Sequence, residues 1–383
     1  MSVTAPQGFR AAGVAGGLKQ SGDRDVAVVI NDGPSRAAAA VFTANRVQAA
    51  PVKWTRQVVS GGRVRAVVLN SGGANACTGP AGFGDTHHTA ERLAAALSVS
   101  AGEIAVCSTG MIGQRLPMDK LLPAVDAAAA AAWIGGGAAA ADAIRTTDTV
   151  SKMCRVAGPG YEIGGMVKGA AMLAPALATM LAVLTTDADL EAAELDAALR
   201  AAVATTFDRL DTDGCMSTND TVLLLASGAA GVRPDPEEFA ALLTQGCADL
   251  ARQQQLDAEG ATKAIDIDVT GAASEADAVT VGRAVARCNL LKCALGGEDP
   301  NWGRALAAVG TTDAAFDPDR VSLAINGVWV CRDGAAAEDR SGVDLRPRDV
   351  TITIDLAAGP HAATIRTTDL TAAYVHENAA YST

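Results

Sequence analysis

The sequence predicts an α/β (α+β) fold in which sheets pack between helices, with a smaller β-rich domain at the C-terminus. Short apolar runs that end in turn residues alternate with longer segments carrying apolar residues at helical spacing. Of the 383 residues, 49% are hydrophobic and only 19% are charged, which is typical of a compact globular protein. A chain of this length has room for two domains, which we place at 1–285 and 286–383.

The larger domain contains apolar runs typical of buried strands and amphipathic segments typical of helices. The predicted strands are Asp25–Ile30, Val64–Asn70, Glu103–Ser108 and Thr221–Ser227. The predicted helices cover residues 88–97, 116–133, 190–210 and 235–260. Because strands and helices alternate along the chain, we expect them to form packed layers.

The C-terminal region changes from helical to strand-like periodicity. Alternating apolar residues predict a strand over 263–272, and helical spacing follows over 274–295. Residues 320–334 and 350–369 then each have the pattern of two strands joined by a turn. We therefore expect two hairpins after a domain boundary near residue 285.

The charge of the chain argues against a nucleic-acid partner. The formal net charge is −12, the isoelectric point is near 4.8, and Lys and Arg form no run. Binding to phosphates needs clustered cations that displace counterions. The N-terminal residues lack a basic segment followed by an apolar one, so we expect a cytoplasmic protein.

The cysteines and histidines predict no metal site. The 8 cysteines include no C-x-x-C pair, and the 4 histidines show no metal-binding spacing. In a reducing compartment such cysteines are typically buried small hydrophobes. We expect neither a metal nor a cofactor.

One segment, "KGAAMLAPALATMLAVLTTDA" at 168–188, is built almost entirely of small and apolar residues. Its uncharged part is shorter than the ~20 residues that cross a membrane, and Pro175 would interrupt a helix. Composition alone favours a buried strand pair. However, the hydroxyl of Thr179 would then lie among apolar side chains, and a buried hydroxyl without a partner costs roughly 1–3 kcal/mol.

Thr179 is therefore a candidate nucleophile. A threonine is activated when a base lies beside it, and the simplest base is its own α-amino group after the preceding peptide bond is cut. The pKa of a free α-amine, roughly 7.7–8, suits this role. Small residues such as Ala178 leave space for the hydroxyl to attack the Ala178 carbonyl, so we predict cleavage between Ala178 and Thr179.

The segment around Thr179 resembles the processing site of the ornithine acetyltransferase (bifunctional glutamate N-acetyltransferase) family of arginine biosynthesis. Further motifs resemble signatures of this family in the same order: "NSGGANACTG" (70–79), "STGMIG" (108–113), "RTTDT" (145–149), "GEDPNWGR" (297–304) and "ENAAYST" (377–383). Together they extend over nearly the whole chain. Ala171, Ala176 and Leu177 depart from the usual family pattern upstream of the cut, which bears on the cleavage rate more than on the activity.

The resemblance implies an N-terminal-nucleophile-type enzyme that cuts itself into an α chain, 1–178, and a β chain, 179–383, with two of each forming a heterotetramer. The implied reaction moves an acetyl group from N2-acetylornithine to glutamate through an acetyl-threonine intermediate. Acetyl-CoA as a second acetyl donor is left open. The alternatives are a self-processing N-terminal-threonine amidase or peptidase and a non-catalytic binding module.

Thr109 and Gly110 are the candidates for stabilising the oxyanion of acetyl transfer. Such an intermediate needs fixed hydrogen-bond donors aimed at it. After the strand at Glu103–Ser108, Thr109 offers a hydroxyl and Gly110 an unshielded backbone N–H. From the residues alone, an ordinary strand-to-helix turn would have the same sequence.

Lys168 stands at the edge of the uncharged segment, where an unpaired ammonium would be costly. It could receive the α-carboxylate of the substrate, the role we favour, or it could lower the pKa of the Thr179 amine by like-charge repulsion. A surface lysine that extends to solvent is the alternative. Asp213, Asn219 and Asp220 could also line the pocket, but we assign them no role.

The resemblance implies further substrate contacts at Thr146 or Thr147, Glu259, Asn378 and Thr383, besides Lys168 and Thr179. A carboxylate such as Glu259 suits the ammonium of ornithine, although a solvated charge at a helix end would look the same in the sequence. Asn378 and Thr383 require a docked C-terminus, since chain ends are usually frayed.

Overall fold

The structure is a computed structural model that describes residues 2–174 and 180–380. Within these residues the strands are β1 (Phe9–Val14), β2 (Val26–Asn31), β3 (Ala38–Phe42), β4 (Ala66–Ser71), β5 (Ile104–Thr109), β6 (Lys152–Gly158), β7 (Tyr161–Lys168), β8 (Leu181–Thr186), β9 (Thr221–Ala226), β10 (Ala264–Ala272), β11 (Ser322–Ile325), β12 (Val328–Arg332), β13 (Ala335–Ala336), β14 (Asp349–Asp355) and β15 (His361–Thr368). The helices are α1 (Ala50–Val59), α2 (Gly79–Leu97), α3 (Met118–Ala131), α4 (Gly137–Ala143), α5 (Ala192–Thr205), α6 (Pro236–Leu256), α7 (Glu275–Ala286), α8 (Asn289–Gly296), α9 (Trp302–Val309) and α10 (Ala372–Ala380).

Two sheets form the centre of the larger unit. The first has the order β1-β2-β4-β5, in which β5 is parallel to β4. The second has the order β3-β9-β8-β7-β6, in which β8 and β9 are parallel. Every residue of β2, β4, β5, β8 and β9 is buried. Burial on both faces explains why these strands are continuous apolar runs in the sequence.

The two sheets face each other and are covered by helices on their outer sides. Between the sheets, Val29 and Leu69 of the first pack with Val183 and Leu225 of the second. The outer face of the first sheet packs on α2 and α3, and that of the second packs on α5 and α6. The layers are therefore helix, sheet, sheet, helix, and the prediction that sheets pack between helices is confirmed.

A third sheet forms the smaller unit, with the order β13-β12-β11-β14-β10-β15. Its apolar face, including Ile267, Ile354 and Ile365, packs on helices α7 to α9. The hairpin predicted over 320–334 is confirmed as β11 and β12. A β-rich C-terminal region was therefore correctly predicted.

The hairpin predicted over 350–369 is wrong. Its two strands, β14 and β15, do not pair with each other, because β10 lies between them, parallel to β14 and antiparallel to β15. Ile265, Ile267 and Val269 of β10 are fully buried, so this strand occupies the middle of the sheet and makes hydrogen bonds along both edges.

Both β10 and α7, which precede the boundary predicted near residue 285, share the core of the C-terminal sheet. The division into two domains stays a prediction. The helix predicted over 274–295 is in fact two helices, α7 and α8. They separate at Cys288, whose backbone is extended.

The remaining local predictions are mostly confirmed. The strands and helices predicted for the larger unit are present, although the helix expected at 88–97 begins earlier, at Gly79. Cys77, Cys215 and Cys293 are exposed, so the expectation of buried cysteines is wrong for these three, which lie in loops or on the outer side of α8. Among the described residues, no helix is both long and apolar enough to cross a membrane.

Several strands of the two central sheets begin or end at the same edge. The pairing of β7 with β8 and of β8 with β9 brings Lys168, Leu181 and Thr221 to the same edge. The last residue of β5, Thr109, lies at this edge as well, since Asn219, two residues before β9, donates to the carbonyl of Ser108 at 2.8 Å. The fold thus brings together residues from distant parts of the sequence.

Candidate active site

A cavity of about 100 Å³ opens at this edge. Among the described residues, its lining includes these predicted site residues: Thr109, Gly110, Thr146, Thr147, Lys168, Glu259 and Asn378. Ala178, Thr179 and Thr383, the predicted cleavage site, nucleophile and last contact residue, lie outside the described residues. The structure therefore brings the described site residues together at one cavity, whose lining also includes Ala171 and Met172.

The backbone of Thr109 and Gly110 is fixed by the glycine pair at the end of β4. The N–H groups of Gly72 and Gly73 donate to the Thr109 carbonyl at 3.0 and 2.9 Å. Gly110 has φ of +126°, and a Cβ on it would lie 2.5 Å from the nitrogen of Gly73. Only glycine fits this position, so the turn presents its backbone to the cavity without a side chain.

Two asparagines that sequence reasoning left without a role hold this turn in place. Asn70 donates to the Gly73 carbonyl at 3.0 Å and accepts from the Ser108 hydroxyl at 2.6 Å. Asn219 donates to the carbonyls of Ala74 at 2.6 Å and Ser108 at 2.8 Å. Both asparagines could have been found from the sequence, because each lies in a polar motif beside an apolar strand.

Lys168 is buried, with 2% of its surface exposed, and its Nζ lies 3.4 Å from the Thr109 hydroxyl oxygen. The alternative of a surface lysine is therefore wrong. Burial lowers the pKa of Lys168, and the carboxylate of Asp148 opposes that shift most strongly. The ammonium and the hydroxyl together form the polar end of the cavity.

Asp148 is a buried residue that the sequence did not identify. It accepts hydrogen bonds from the Nζ of Lys152 at 2.6 Å, from the backbone of Gly169 at 2.7 Å and from the backbone of Thr146 at 3.1 Å. Burial would raise the pKa of Asp148, but Lys168 and Lys152 outweigh it and lower the pKa to about 2. Asp148 is therefore a permanent anion beside the cavity.

Asp220 lies beside the first described residue after the predicted cut. Its Oδ1 accepts from the backbone N–H of Met180 at 3.0 Å, whereas its Oδ2 is buried and has no hydrogen-bond partner. Burial raises the pKa of Asp220 well above its usual range. Asp220 is thus a buried carboxyl group next to the first residue of the described segment that follows the predicted cut.

Glu259 and Asn378 meet on the other side of the cavity. The Asn378 amide donates to Oε2 of Glu259 at 2.9 Å, and the Glu259 backbone donates to the Ala170 carbonyl at 2.9 Å. The helix α10 that carries Asn378 is fastened at its start, where the Thr371 hydroxyl donates to the Gly260 carbonyl at 2.6 Å. The C-terminal region is therefore docked as far as the described residues extend.

The cavity thus has two chemically different ends. Lys168, Thr109 and the Gly110 backbone can stabilise negative charge on an oxygen, whereas the Glu259 carboxylate can bind an ammonium. Thr146 and Thr147 also belong to the lining. The fold and this arrangement define an enzyme that acts on a small substrate carrying both an acyl oxygen and an amine.

Comparison with known proteins identifies the family. The ArgJ family profile matches residues 10–383. The arginine biosynthesis bifunctional protein ArgJ of Thermobifida fusca is 69% identical over 383 residues, covering 100% of both chains. That of Mycobacterium leprae is 58% identical over 388 residues, covering 99% of this chain and 95% of the relative.

A solved ornithine acetyltransferase of Mycobacterium tuberculosis, complexed with ornithine, is 56% identical and covers 47% of this chain and 96% of its own, with a TM-score of 0.43. The chain belongs to the ArgJ family, and it is an enzyme of arginine biosynthesis. The family predicted from the motifs is confirmed, and the non-catalytic binding module is excluded.

Proposed function

We propose that this enzyme transfers the acetyl group of N2-acetylornithine to glutamate through an acetyl ester of Thr179, giving ornithine and N-acetylglutamate. The observation that carries the proposal is the contact between the Lys168 ammonium and the Thr109 hydroxyl beside Gly110, at the edge where β8 begins. In the sequence, Thr179 lies two residues before β8, which begins at this same edge.

The first chemical step is self-cleavage. The Thr179 hydroxyl attacks the Ala178 carbonyl, the bond from that carbonyl to the Thr179 nitrogen breaks, and water then hydrolyses the resulting ester. The products are the α chain, 1–178, and the β chain, 179–383, whose new α-amine is the base for catalysis. Two of each chain form the proposed heterotetramer, located in the cytoplasm.

Acetyl transfer then follows in two half-reactions. The Thr179 amine accepts the hydroxyl proton while the oxygen attacks the acetyl carbon, and the Thr109 hydroxyl and Gly110 N–H stabilise the oxyanion. Collapse of this intermediate returns the proton to the departing amine of ornithine. Glutamate then attacks the acetyl ester through its own amine, which restores the Thr179 hydroxyl.

The charged ends of the cavity orient both amino acids. The Glu259 carboxylate, held by Asn378, suits the side-chain ammonium of ornithine. Lys168, with Thr146 or Thr147, would bind the α-carboxylate, and Thr383 would complete this end of the pocket. No metal or cofactor is required by these steps.

Acetyl-CoA is the proposed second acetyl donor, because the relatives are named bifunctional proteins of arginine biosynthesis. It would acetylate the same threonine and release its thiol. An amidase would share the threonine chemistry but would pass the acetyl group to water, and the family membership favours transfer to an amine.

Intact-mass spectrometry of the protein incubated with N-acetylornithine tests the proposal. We expect two polypeptides, 1–178 and 179–383, and a mass gain of one acetyl group on the second. Thr179→Ala should remain one uncut chain, whereas Thr179→Ser, which keeps a hydroxyl, should still be cut. Efficient cleavage of Thr179→Ala, or release of free acetate faster than N-acetylglutamate, would reject it.

A further inference from the structure

A buried series of alternating charges lies behind the cavity wall. It leads from Lys168 through Asp148 and Lys152 to Asp257. The side chains of Lys152 and Asp148 are 0% exposed, and that of Asp257 is 8% exposed. Of these four residues, Lys168 belongs to the cavity lining in the described part of the chain, and the others lie behind it. Any influence of Asp148 on the reaction must therefore act through its neighbours.

Asp148 fixes two parts of the cavity wall at once. One oxygen accepts from Lys152 Nζ at 2.6 Å and from the Gly169 N–H at 2.7 Å, next to Lys168. The other oxygen accepts from the Thr146 N–H at 3.1 Å. The loop that carries Thr146 and the end of β7 are thus attached to one carboxylate.

Asp257 attaches the third part of the wall. It accepts from Lys152 Nζ at 2.5 Å and from the Thr149 N–H at 3.0 Å. In the turn that follows, the Glu259 N–H donates to the Ala170 carbonyl at 2.9 Å. The network therefore joins three segments of the wall: 146–149, 168–170 and 257–259.

The charge of Lys168 decides the direction of its hydrogen bond with Thr109. An ammonium can only donate, so the Thr109 oxygen accepts from it and the hydroxyl hydrogen remains available to the cavity. A neutral amine has a lone pair and can accept that hydrogen instead. Loss of the charge would therefore turn the Thr109 hydroxyl away from an oxyanion.

We propose that Asp148, supported by Lys152 and Asp257, is a positioning residue that keeps this hydrogen bond directed from the Lys168 ammonium to the Thr109 hydroxyl. The relevance of this inference to catalysis rests on the proposed function. Its structural content, the charge state of Lys168, can be measured without any reaction.

The groups that face Lys168 shift its pKa in opposite directions. Burial lowers its pKa, Asp148 raises it most, Lys152 lowers it, and Asp220 and Glu259 raise it. Removal of Asp148 should therefore make Lys168 lose its proton at lower pH, and removal of Lys152 should make it lose its proton at higher pH. If Asp148 and Lys152 contributed only packing, their removal would not shift the pKa of Lys168 in opposite directions.

The test compares Asp148→Asn and Lys152→Met in the full-length protein, with cleavage of each variant verified by mass. On the alkaline side, kcat of acetyl transfer in Asp148→Asn should fall at a pH roughly 1–3 units lower than in the wild type. In Lys152→Met it should fall at a higher pH than in the wild type. The pKa of Lys168, followed through its ¹³Cε resonance, should move in the same directions. Asp148→Glu, which keeps the charge, should return both values towards wild type.

Asp187→Asn is the matched control. Asp187 is also buried and accepts two backbone hydrogen bonds, from Gln7 at 2.9 Å and Glu162 at 2.7 Å, but it lies at the opposite end of β8. This substitution should lower the stability of the protein, but it should not change the pH at which kcat falls on the alkaline side.

Three outcomes would overturn the inference: an unchanged Lys168 pKa in Asp148→Asn, shifts of the same sign in both variants, or an equal shift in Asp187→Asn. If Asp148→Asn does not fold, Lys152→Met alone decides by the sign of its shift. Absence of acetyl transfer in the wild type would reject the proposed function, whereas the resonance measurement would still test the role of Asp148.

Discussion

At the scale of single residues, the site depends on a few positions whose backbone conformation is fixed. Gly110 combines a left-handed φ of +126° with a backbone neighbour 2.5 Å from where a Cβ would be placed. Thr109, beside it, is held through its carbonyl by two N–H groups. In the proposed mechanism, this fixed backbone would let the Thr109 hydroxyl and the Gly110 N–H stabilise an oxyanion without rearranging.

Removing the Thr109 hydroxyl should impair the chemical step. In Thr109→Val we expect kcat to fall roughly 10²–10³-fold with little change in KM, since the bond forms only in the transition state. Thr109→Ser, which keeps the hydroxyl, should lose much less. Steady-state kinetics of the fully cleaved variants measure this, and near-normal kcat with a raised KM would instead make "STGMIG" a binding loop.

Gly110→Ala should destabilise the protein more than Gly113→Ala. Both glycines have positive φ, but a Cβ at Gly113 would have no atom within 4 Å. Alanine is therefore strained at both positions, and at Gly110 the φ lies further from the left-handed region and the clash with Gly73 is added, for which we expect about 1–3 kcal/mol more. Urea unfolding of both variants gives the comparison, and equal losses would show that Gly73 can move aside.

At the scale of elements, α10 matters because it is attached to the turn that carries Glu259. Thr371 donates to the Gly260 carbonyl and accepts from the Tyr374 N–H at 3.1 Å, and Asn378 then reaches Glu259. No residue of α10 is buried. Hydrogen bonds at its start and at Asn378, and not a hydrophobic face, thus keep this helix at the cavity.

Thr371→Val should weaken substrate binding although Thr371 is not in the cavity lining. Loss of both hydrogen bonds should loosen α10 and raise the KM for N-acetylornithine, with kcat reduced less. Thr364→Val is the control, because Thr364 also uses its hydroxyl, donating to Asp268 at 2.6 Å, but on the third sheet. An equal KM in wild type and Thr371→Val would contradict a role for the docked helix.

At the scale of the whole molecule, the predicted cut lies between two strands that are neighbours in one sheet. Strands β3, β6 and β7 precede the cut, and β8 and β9 follow it, yet all five form the sheet β3-β9-β8-β7-β6. Pairing of β7 with β8 extends from Ile163 opposite Thr186 to Lys168 opposite Leu181. The two polypeptides would therefore share both a sheet and a core.

The cleaved protein should remain one particle. Denaturing electrophoresis should show two bands, whereas size-exclusion chromatography in buffer should show both chains in a single peak, because separation would expose the core between the sheets. Thr179→Ala, uncut, provides the single-band reference. Separation of the chains without denaturant would show that the shared sheet does not hold them.

The local patterns of the sequence were sufficient for most elements and for the family. Apolar runs such as Val64–Asn70 and Thr221–Ser227 predicted buried strands because strands covered on both faces must be apolar throughout. The motifs predicted Thr109, Gly110, Lys168 and Glu259 as site residues, and the structure places all of them in one cavity. Their chemical roles stay predictions, which rest on residue type and on the family pattern.

The tertiary structure alone decided which distant residues meet. Nothing in the alternating pattern of β10 showed that it would lie between β14 and β15, since alternation specifies the faces of a strand and not its neighbours. Likewise, no sequence pattern singled out Asp148 and Lys152, and only the folded structure buries them and pairs Lys152 with both Asp148 and Asp257. The sequence by itself determined most of the elements and the family. The pairing of strands and the charges around Lys168 depend on long-range contacts, which the fold decides because the free energy of a buried charge is set by its neighbours in space.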